Sequence, residues 1–538
     1  MAQTDQHTSP VELDQIRTLA DLSRYHARKT PGSIALIFEG RETSYGVLDE
    51  RSNQIANALL ADGLDRGSRV AYIGKNSDRY FELLIAAAKI GAVMLPIGWR
   101  LAAAEMAFII EHSESRIVFH DEHTGPTVGE AIALCAKVPN LIDINNSNAE
   151  YFEPWWRQHS SDDPEFEVPP DAVALQIYTS GTTGRPKGVM LSHYNLLEGW
   201  RAAGQMDLEW NRWHLNEASL IAMPVSHIGG TGWGILGFLH GAKNLVLREF
   251  DPEVILSVIE SERISKMFLV PSALQILLRQ ESVKRVDFTA LRYVLYGASP
   301  MPLALLRECL QEFGCGFCQH YGMTEASGPV VYLPPEDHDP AGNDRMRAAG
   351  IPMPGVDIRI VDDTGQRLPA NVVGEIAVRC PTNMKGYWKD EAATRQALDP
   401  DGWLRTGDAG YLDQDGYVFI EGRKKEMIIS GGENIYPAEV ENAIFSHPDV
   451  AEVAVLGVPH PKWGEAVAAC IVLKPDVEPD ADRILDFACS SIASFKVPKI
   501  VNFVASLPKN ASGKVLKYRL REWFSEPQVQ VSGSRKSR

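Results

Sequence analysis

Residues Tyr178-Thr179-Ser180-Gly181-Thr182-Thr183-Gly184-Arg185-Pro186-Lys187-Gly188-Val189 limit what this chain can fold into more than any other stretch. Five hydroxyl side chains and three glycines fall within it, with a lysine near the far end. Glycine lets a backbone approach a ligand and adopt φ > 0. Hydroxyls, exposed N–H groups and a lysine are what a polyphosphate needs around it. The preceding run Ala172-Val173-Ala174-Leu175-Gln176-Ile177 reads as a buried strand, so the loop is expected to leave a sheet at its carboxyl edge, where ligands bind in open α/β sheets. A Walker loop fails on spacing, because its second glycine would fall at position 186 or 189, held by Pro186 and Val189. A flexible Ser/Gly linker is the bland alternative, but an apolar strand before it and Arg-Pro-Lys-Gly at its end speak against that.

The flanking sequence extends the sheet reading. Apolar residues at helical spacing from Val47 to Leu60 precede the strand Arg69–Ile73, then a helix over 79–90 and a strand over 92–96. Such alternation points to parallel sheets with helices on their faces. Near Gly355 the texture changes to short strands with turn signals, the pattern of a β-rich subdomain. A second compact unit begins after Gly422-Arg423-Lys424-Lys425. The expected class is α/β: a large N-terminal domain of packed sheets with helices plus a β-rich subdomain, and a small α+β C-terminal domain. The expected boundaries are a disordered N-terminus over 1–18, an N-terminal domain over 19–421, a hinge at 422–425, a C-terminal domain over 426–525 and a disordered tail over 526–538.

A chain of 538 residues is too long for one core. Its net charge of −17 argues against nucleic acid as a partner, though local lysines can still draw one anionic ligand into a cleft. Seven scattered cysteines suggest reduced thiols, and the lone pair Cys315 and Cys318 reads as buried strand rather than a metal site. There is no basic and apolar leader at the N-terminus, and the most apolar stretch, 80–99, is broken by Glu82 and Lys89. The expectation is a cytoplasmic protein with no integral membrane segment. The oligomeric state stays open, a homodimer among the options.

Further motifs give the loop its context: Tyr296-Gly297-Ala298-Ser299, Gln319-His320-Tyr321-Gly322-Met323-Thr324-Glu325, Thr406-Gly407-Asp408, Gly422-Arg423 and Pro508-Lys509-Asn510-Ala511-Ser512-Gly513-Lys514. In this order and spacing the chain resembles the adenylate-forming superfamily, which includes acyl-CoA synthetases, firefly-type luciferases and amino-acid adenylation domains. The resemblance runs from about residue 19 to 523. It implies that Thr179, Ser180, Gly181, Thr182, Thr183, Gly184 and Lys187 surround the phosphates of ATP. It implies that Gly297, Ala298 and Ser299 contact adenine and that Tyr321, within His320-Tyr321-Gly322-Met323, stacks on it. Thr324 would contact the α-phosphate, Glu325 with Thr179 would hold Mg2+, and Asp408 would accept the ribose hydroxyls beside Arg423. Lys514 would be the catalytic lysine, carried on a C-terminal domain that swings about Lys425.

The chemistry suits these residue types independently. A carboxylate is a poor acyl donor, and its attack on an ATP phosphate brings two anions together. A hard cation on a carboxylate and a lysine between the reactants offset that repulsion.

Within the superfamily, the segment from Pro224 to Gly234 holds no acid to grip an amino group, which disfavours amino-acid adenylation. The loop Gly431-Gly432-Glu433 resembles that of bacterial fatty-acyl and aryl CoA ligases, where the glycine backbone approaches the pantetheine of coenzyme A. Ile429 stands where coumarate ligases and luciferases carry a second lysine, which argues against a luciferase-like oxidation. His227 resembles the family's gate near the acyl carbonyl, and a hydrogen-bonded histidine on a glycine-rich turn is its plainer reading. Apart from Glu325 the pocket segments 228–237, 296–299 and 323–332 carry no charge, and Trp233 is a candidate floor or stacking wall. An apolar acid is therefore expected: a medium- or long-chain fatty acid first, then an aryl or steroid-side-chain acid. The expected reaction consumes the acid, ATP and coenzyme A and yields acyl-CoA, AMP and diphosphate. A catalytically silent nucleotide-binding regulator is the alternative of another class.

Overall fold

The computed structural model describes residues 11–144, 152–179, 186–206, 208–214, 217–489, 491–509 and 515–524. Two large sheets form the N-terminal part. The first has nine strands, running from Ile351–Pro352 through Gly328–Leu333, Gly316–Met323, Tyr293–Gly297, Ile264–Leu269, Ala218–Ile221, Lys243–Val246 and Ile34–Phe38 to Arg41–Ser44. Its central pairings are parallel and its outer ones antiparallel. The second has seven strands, with Val173–Thr179 parallel to Val93–Ile97 on one side and antiparallel to Lys187–Ser192 on the other. Helices such as Tyr45–Ala61 and Asp78–Lys89 pack between the strands' faces and one shared apolar core, as the alternating pattern predicts. Their starts are local: the Ser44 hydroxyl accepts the Val47 amide and caps the first of them.

The β-rich unit is a four-stranded antiparallel sheet of Asp357–Val361, Gly374–Arg379, Trp403–Leu412 and Val418–Arg423. The C-terminal unit pairs Val450–His460 with Gly464–Leu473, flanks them with Ile428–Ser430, Glu433–Ile435 and Ile500–Phe503, and packs the helices Pro437–Phe445 and Ala481–Cys489. It has its own apolar clusters. The Gln275 amide reaches across from the large domain to the Ala451 carbonyl at 2.9 Å.

One expectation needs correction. The segment 11–18 is packed rather than disordered: Ile16 is fully buried, and Asp21 accepts the Thr18 amide at 2.8 Å to close the first helix turn. The Thr324-Glu325 motif forms a single 3-10 turn, Thr324–Ala326, at the tip of a hairpin between Gly316–Met323 and Gly328–Leu333. Ser327 and Gly328 take φ of +62° and +130° there, which turns the chain back into the sheet before a helix can grow. Cys318 lies in that hairpin's first strand, and all seven cysteines are free. No helix among the described residues is long and apolar enough to cross a membrane.

Candidate active site

The strand Val173–Thr179 ends at Thr179, and its antiparallel neighbour begins directly opposite at Lys187. The intervening Ser180, Gly181, Thr182, Thr183 and Gly184 lie outside the described residues, but both anchors of the loop are in place. From this edge the Thr179 hydroxyl donates to Glu325 Oε1 at 3.4 Å across 146 residues of sequence. The same oxygen accepts the Tyr387 hydroxyl at 3.1 Å, and the Glu325 carbonyl accepts the Met384 amide at 2.8 Å. Burial and the Glu325 carboxylate push the Tyr387 hydroxyl upward, so it stays protonated and donates. Lys187 Nζ lies 4.9 Å from the centre of the Tyr387 ring, a cation–π contact. Tyr387 joins this site through no motif. The antiparallel pairing of Gly386–Tyr387 with the strand after the loop, and the Met384 amide on the Glu325 carbonyl, bring it in.

A second cluster gathers about Asp408, which is 6% exposed. Its Oδ2 accepts the Tyr321 hydroxyl at 2.7 Å, and its Oδ1 faces Arg423 Nε at 2.8 Å. Asp408 and Arg423 are direct partners on adjacent strands. Gly407, at φ +72°, and a register shift after Ala409 turn the chain at this point. The Thr406 hydroxyl donates to the Ile376 carbonyl at 2.8 Å and accepts the Asp408 amide at 3.1 Å, so the backbone under the carboxylate is held from both sides. Burial and the Asp408 carboxylate raise the Tyr321 hydroxyl well above its ordinary range.

The turn after Tyr293–Gly297 completes this face. Gly297 lies so close to the next strand that a Cβ there would sit 2.1 Å from the His320 carbonyl oxygen. Ala298 follows at φ +66°, unusual for a residue with a side chain, and Ala298 and Ser299 are exposed. Gly322 and Met323 lie in the same hairpin strand as Tyr321. His320 behaves differently. Strand alternation sends its ring to the opposite face from Tyr321, against Trp200 and Trp210, so its side chain is not part of the Asp408 cluster.

His227 is the N-cap residue of the helix Ile228–Leu239, and burial lowers its pKa, which favours a neutral ring. Trp233 on that helix is 5% exposed; its indole N–H donates to the Leu220 carbonyl at 3.0 Å, and its ring packs near Trp213 and Phe268. It is a fixed wall.

Lys425 is exposed in the 3-10 turn Lys424–Glu426 that joins the two domains. Gly431 and Gly432, at φ +62° and +89°, form the two-residue tip of the hairpin that continues at Glu433. The Gly431 amide donates to the Trp463 carbonyl at 2.9 Å, which ties this tip to the next one. Lys514 lies outside the described residues. Its flanks are pinned: Lys509 pairs with Val515 as an antiparallel bridge, and Lys509 Nζ meets Glu452 at 2.7 Å.

Oxygen donors of the Thr179 and Glu325 type suit a hard divalent ion, and Mg2+ is usually held by one or two carboxylates together with phosphates and water. The residues present fit Mg2+ on that ground.

Comparison with known proteins follows the same outline. The model of the AMP-binding enzyme family matches residues 23–388, and that of the AMP-binding enzyme C-terminal domain matches residues 439–514. A fatty acid–[acyl-carrier-protein] ligase, ScoC, of Streptomyces coeruleorubidus is 40% identical over 511 residues, 95% of this chain and 97% of that protein. A feruloyl-CoA synthase of an Amycolatopsis species is 37% identical, over 93% of this chain and 97% of its own length. Among solved structures, ATP-bound MatB from Rhodopseudomonas palustris superposes with a TM-score of 0.84 at 31% identity, over 94% of this chain and 99% of that one.

Proposed function

The chain belongs to the AMP-binding enzyme family, and from that premise we propose that it is an ATP-dependent ligase joining an apolar carboxylic acid to the thiol of coenzyme A. The observation that carries this reading is the meeting of Thr179, at the mouth of the glycine-rich loop, with Glu325, 146 residues away, at one hydrogen bond's distance. A loop suited to phosphates and a carboxylate suited to a cation thus share one place.

In the first step the acid's carboxylate attacks the α-phosphate of ATP and diphosphate leaves. Mg2+, when bound at Glu325, supplies the charge that lets one anion approach another. Asp408, oriented by Tyr321 and Arg423, accepts the ribose hydroxyls, and Thr324 at the hairpin tip faces the α-phosphate. Lys514 bridges the two reactants. In the second step the thiolate attacks the acyl carbon, the C–O bond to phosphate breaks and AMP leaves. No enzyme nucleophile is needed. Lys514 must withdraw before the thiol arrives, and we assign the pivot to Lys425 in the exposed turn between domains. Gly431 and Gly432 then lend their backbone to the pantetheine arm.

A fatty acid of medium or long chain and an aryl acid both suit the uncharged walls, and relatives carry both kinds of name. A second acceptor has its own support: ScoC is named for transfer to an acyl carrier protein.

The test is half-reaction kinetics. Lys514→Ala should cripple ATP–diphosphate exchange yet spare thioester formation from supplied acyl-adenylate; equal damage to both steps would refute the assignment. Exchange without any CoA-dependent product, restored by a carrier protein bearing phosphopantetheine, would favour the second acceptor. A silent regulator would bind ATP and exchange nothing.

A further inference from the structure

Glu325 is held through a single carboxylate oxygen. The Tyr387 hydroxyl donates to Oε1 at 3.1 Å, and the Thr179 hydroxyl donates to the same atom at 3.4 Å. Oε2 accepts no hydrogen bond from any described residue. An ionised carboxylate only accepts, and each oxygen can take more than one donor. Two donors on Oε1 therefore set the direction of the group and leave Oε2 to a cation. Thr179 is itself a candidate ligand of that cation. Tyr387 is left as the group whose part is to aim the carboxylate.

The segment that carries Tyr387 is fixed before any ligand arrives. Tyr387 pairs with Val189, and its amide donates to the Thr394 hydroxyl oxygen at 2.9 Å. Its ring meets Lys187 Nζ at 4.9 Å. The next residue, Trp388, anchors the same turn to other elements. Its amide donates to the Gly188 carbonyl at 2.7 Å, and its indole N–H donates to the carbonyl of His112 at 2.9 Å. The Arg69 guanidinium lies 3.5 Å from the centre of the Trp388 ring. His112 belongs to the helix Ala103–Ser113 and Arg69 to the strand Arg69–Ile73, so Trp388 ties the edge pairing to the body of the seven-stranded sheet. Groups that hold a metal-binding carboxylate act in this way: they order the ligand in advance, so that binding does not have to.

We propose that Tyr387 is a positioning residue of the cation site, holding Glu325 by Oε1 so that Oε2 is presented to the metal of the metal–nucleotide complex, and that Trp388 acts through Tyr387 by fixing its turn. This rests on the carboxylate-activating reading above, in which Glu325 is the cation's ligand. Without the hydroxyl the carboxylate is free to rotate, and part of the metal's binding energy goes into ordering it again.

The experiment is calorimetric binding of α,β-methylene-ATP, which cannot be cleaved at the α-phosphate, to the full chain in Mn2+ and in EDTA. Mn2+ stands in for Mg2+ because both take oxygen ligands. Tyr387→Phe removes one hydroxyl and keeps the ring beside Lys187. It should weaken binding of the Mn2+ complex about tenfold, the lower end of what such outer partners are worth, and leave the metal-free nucleotide within about twofold of wild type. Trp388→Phe should weaken the Mn2+ complex less, and the double variant should bind as Tyr387→Phe does, because two residues acting through one hydroxyl do not add. A general loosening of the fold would weaken both forms of the nucleotide and add in the double variant. Unchanged binding of the Mn2+ complex by Tyr387→Phe, where Glu325→Gln weakens it, would overturn the proposal alone. Equal weakening with and without metal would also overturn it and make Tyr387 a contact of the nucleotide. No effect of Glu325→Gln would remove the cation from Glu325 and the proposal with it. The assay needs no turnover, so the expected pattern in a protein that shows no acid-dependent exchange would sink the ligase reading while sustaining the role of Tyr387.

Discussion

Asp408→Asn is the substitution that most sharply separates a nucleotide-binding role from a structural one. Both carboxylate oxygens are already held, one by the Tyr321 hydroxyl at 2.7 Å and one by Arg423 at 2.8 Å, so the group is oriented before any ligand arrives. A carboxylate accepts through two oxygens, whereas the amide accepts through one and donates through its nitrogen. If Asp408 receives two ribose hydroxyls, the change removes hydrogen bonds to a charged acceptor worth about 1.5–3 kcal/mol each. Two of them amount to about 3–6 kcal/mol, a fall on the order of 100- to 10,000-fold in kcat/KM for ATP. The amide oxygen keeps one acceptor, which sets the expectation near the lower end. The fold should suffer less. The Arg423 side chain is 35% exposed, so losing its partner costs about 1 kcal/mol. The assay is ATP–diphosphate exchange with ATP, 2′-deoxy-ATP and 3′-deoxy-ATP, alongside a urea titration. Wild type should lose about tenfold or more with each deoxy nucleotide, and the variant should hardly distinguish the three. A stable variant with unchanged ATP dependence, or one that discriminates the deoxy nucleotides as the wild type does, would refute the assignment.

Three further outcomes are expected. Glu325→Gln should raise the Mg2+ concentration for half-maximal exchange about tenfold or more with little change in the urea midpoint, since Thr179 and Tyr387 can still donate to the amide oxygen; unaltered Mg2+ dependence would remove Glu325 from the metal site. Gly297→Ala should cost more than about 3 kcal/mol in urea denaturation, because the new methyl would meet a backbone carbonyl that cannot turn aside without parting two paired strands; a midpoint within error of wild type would contradict that packing. Stability should also fall in mild acid. Burial lowers the rings of His26 and His193 to about 4 and that of His320 to about 3, below their unfolded value of about 6.5. The unfolded chain therefore binds more protons in the interval, so the stabilisation is full above about pH 6.5 and drains away as pH falls toward 4, by about 3 kcal/mol per ring. A urea midpoint flat from pH 7 to 4.5 would show that these rings are not buried neutral.

Much of this protein could be read along the chain because local physics writes it there. The strand Arg69–Ile73 and the helix Asp78–Lys89 follow from apolar spacing, and the glycine pair at 431 and 432 announces a turn that needs φ > 0. The order of the motifs around Thr179, Tyr321, Glu325 and Asp408 was equally legible, because each is a short run whose residue types suit one task. What the chain alone did not yield is which groups meet. Whether Thr-Glu opens a helix or caps a hairpin depended on the sheet that receives the returning strand Gly328–Leu333. Tyr387 reaches Glu325 through a two-residue edge pairing with no signal of its own. His320 sits inside a nucleotide motif, yet the period-two alternation of a strand turns its ring to the face opposite Tyr321, where two tryptophans from distant segments pack near it. Backbone conformation is set by neighbours in sequence and so is visible there. The partners of a buried polar atom are set by packing between remote segments, and those only the tertiary structure decides.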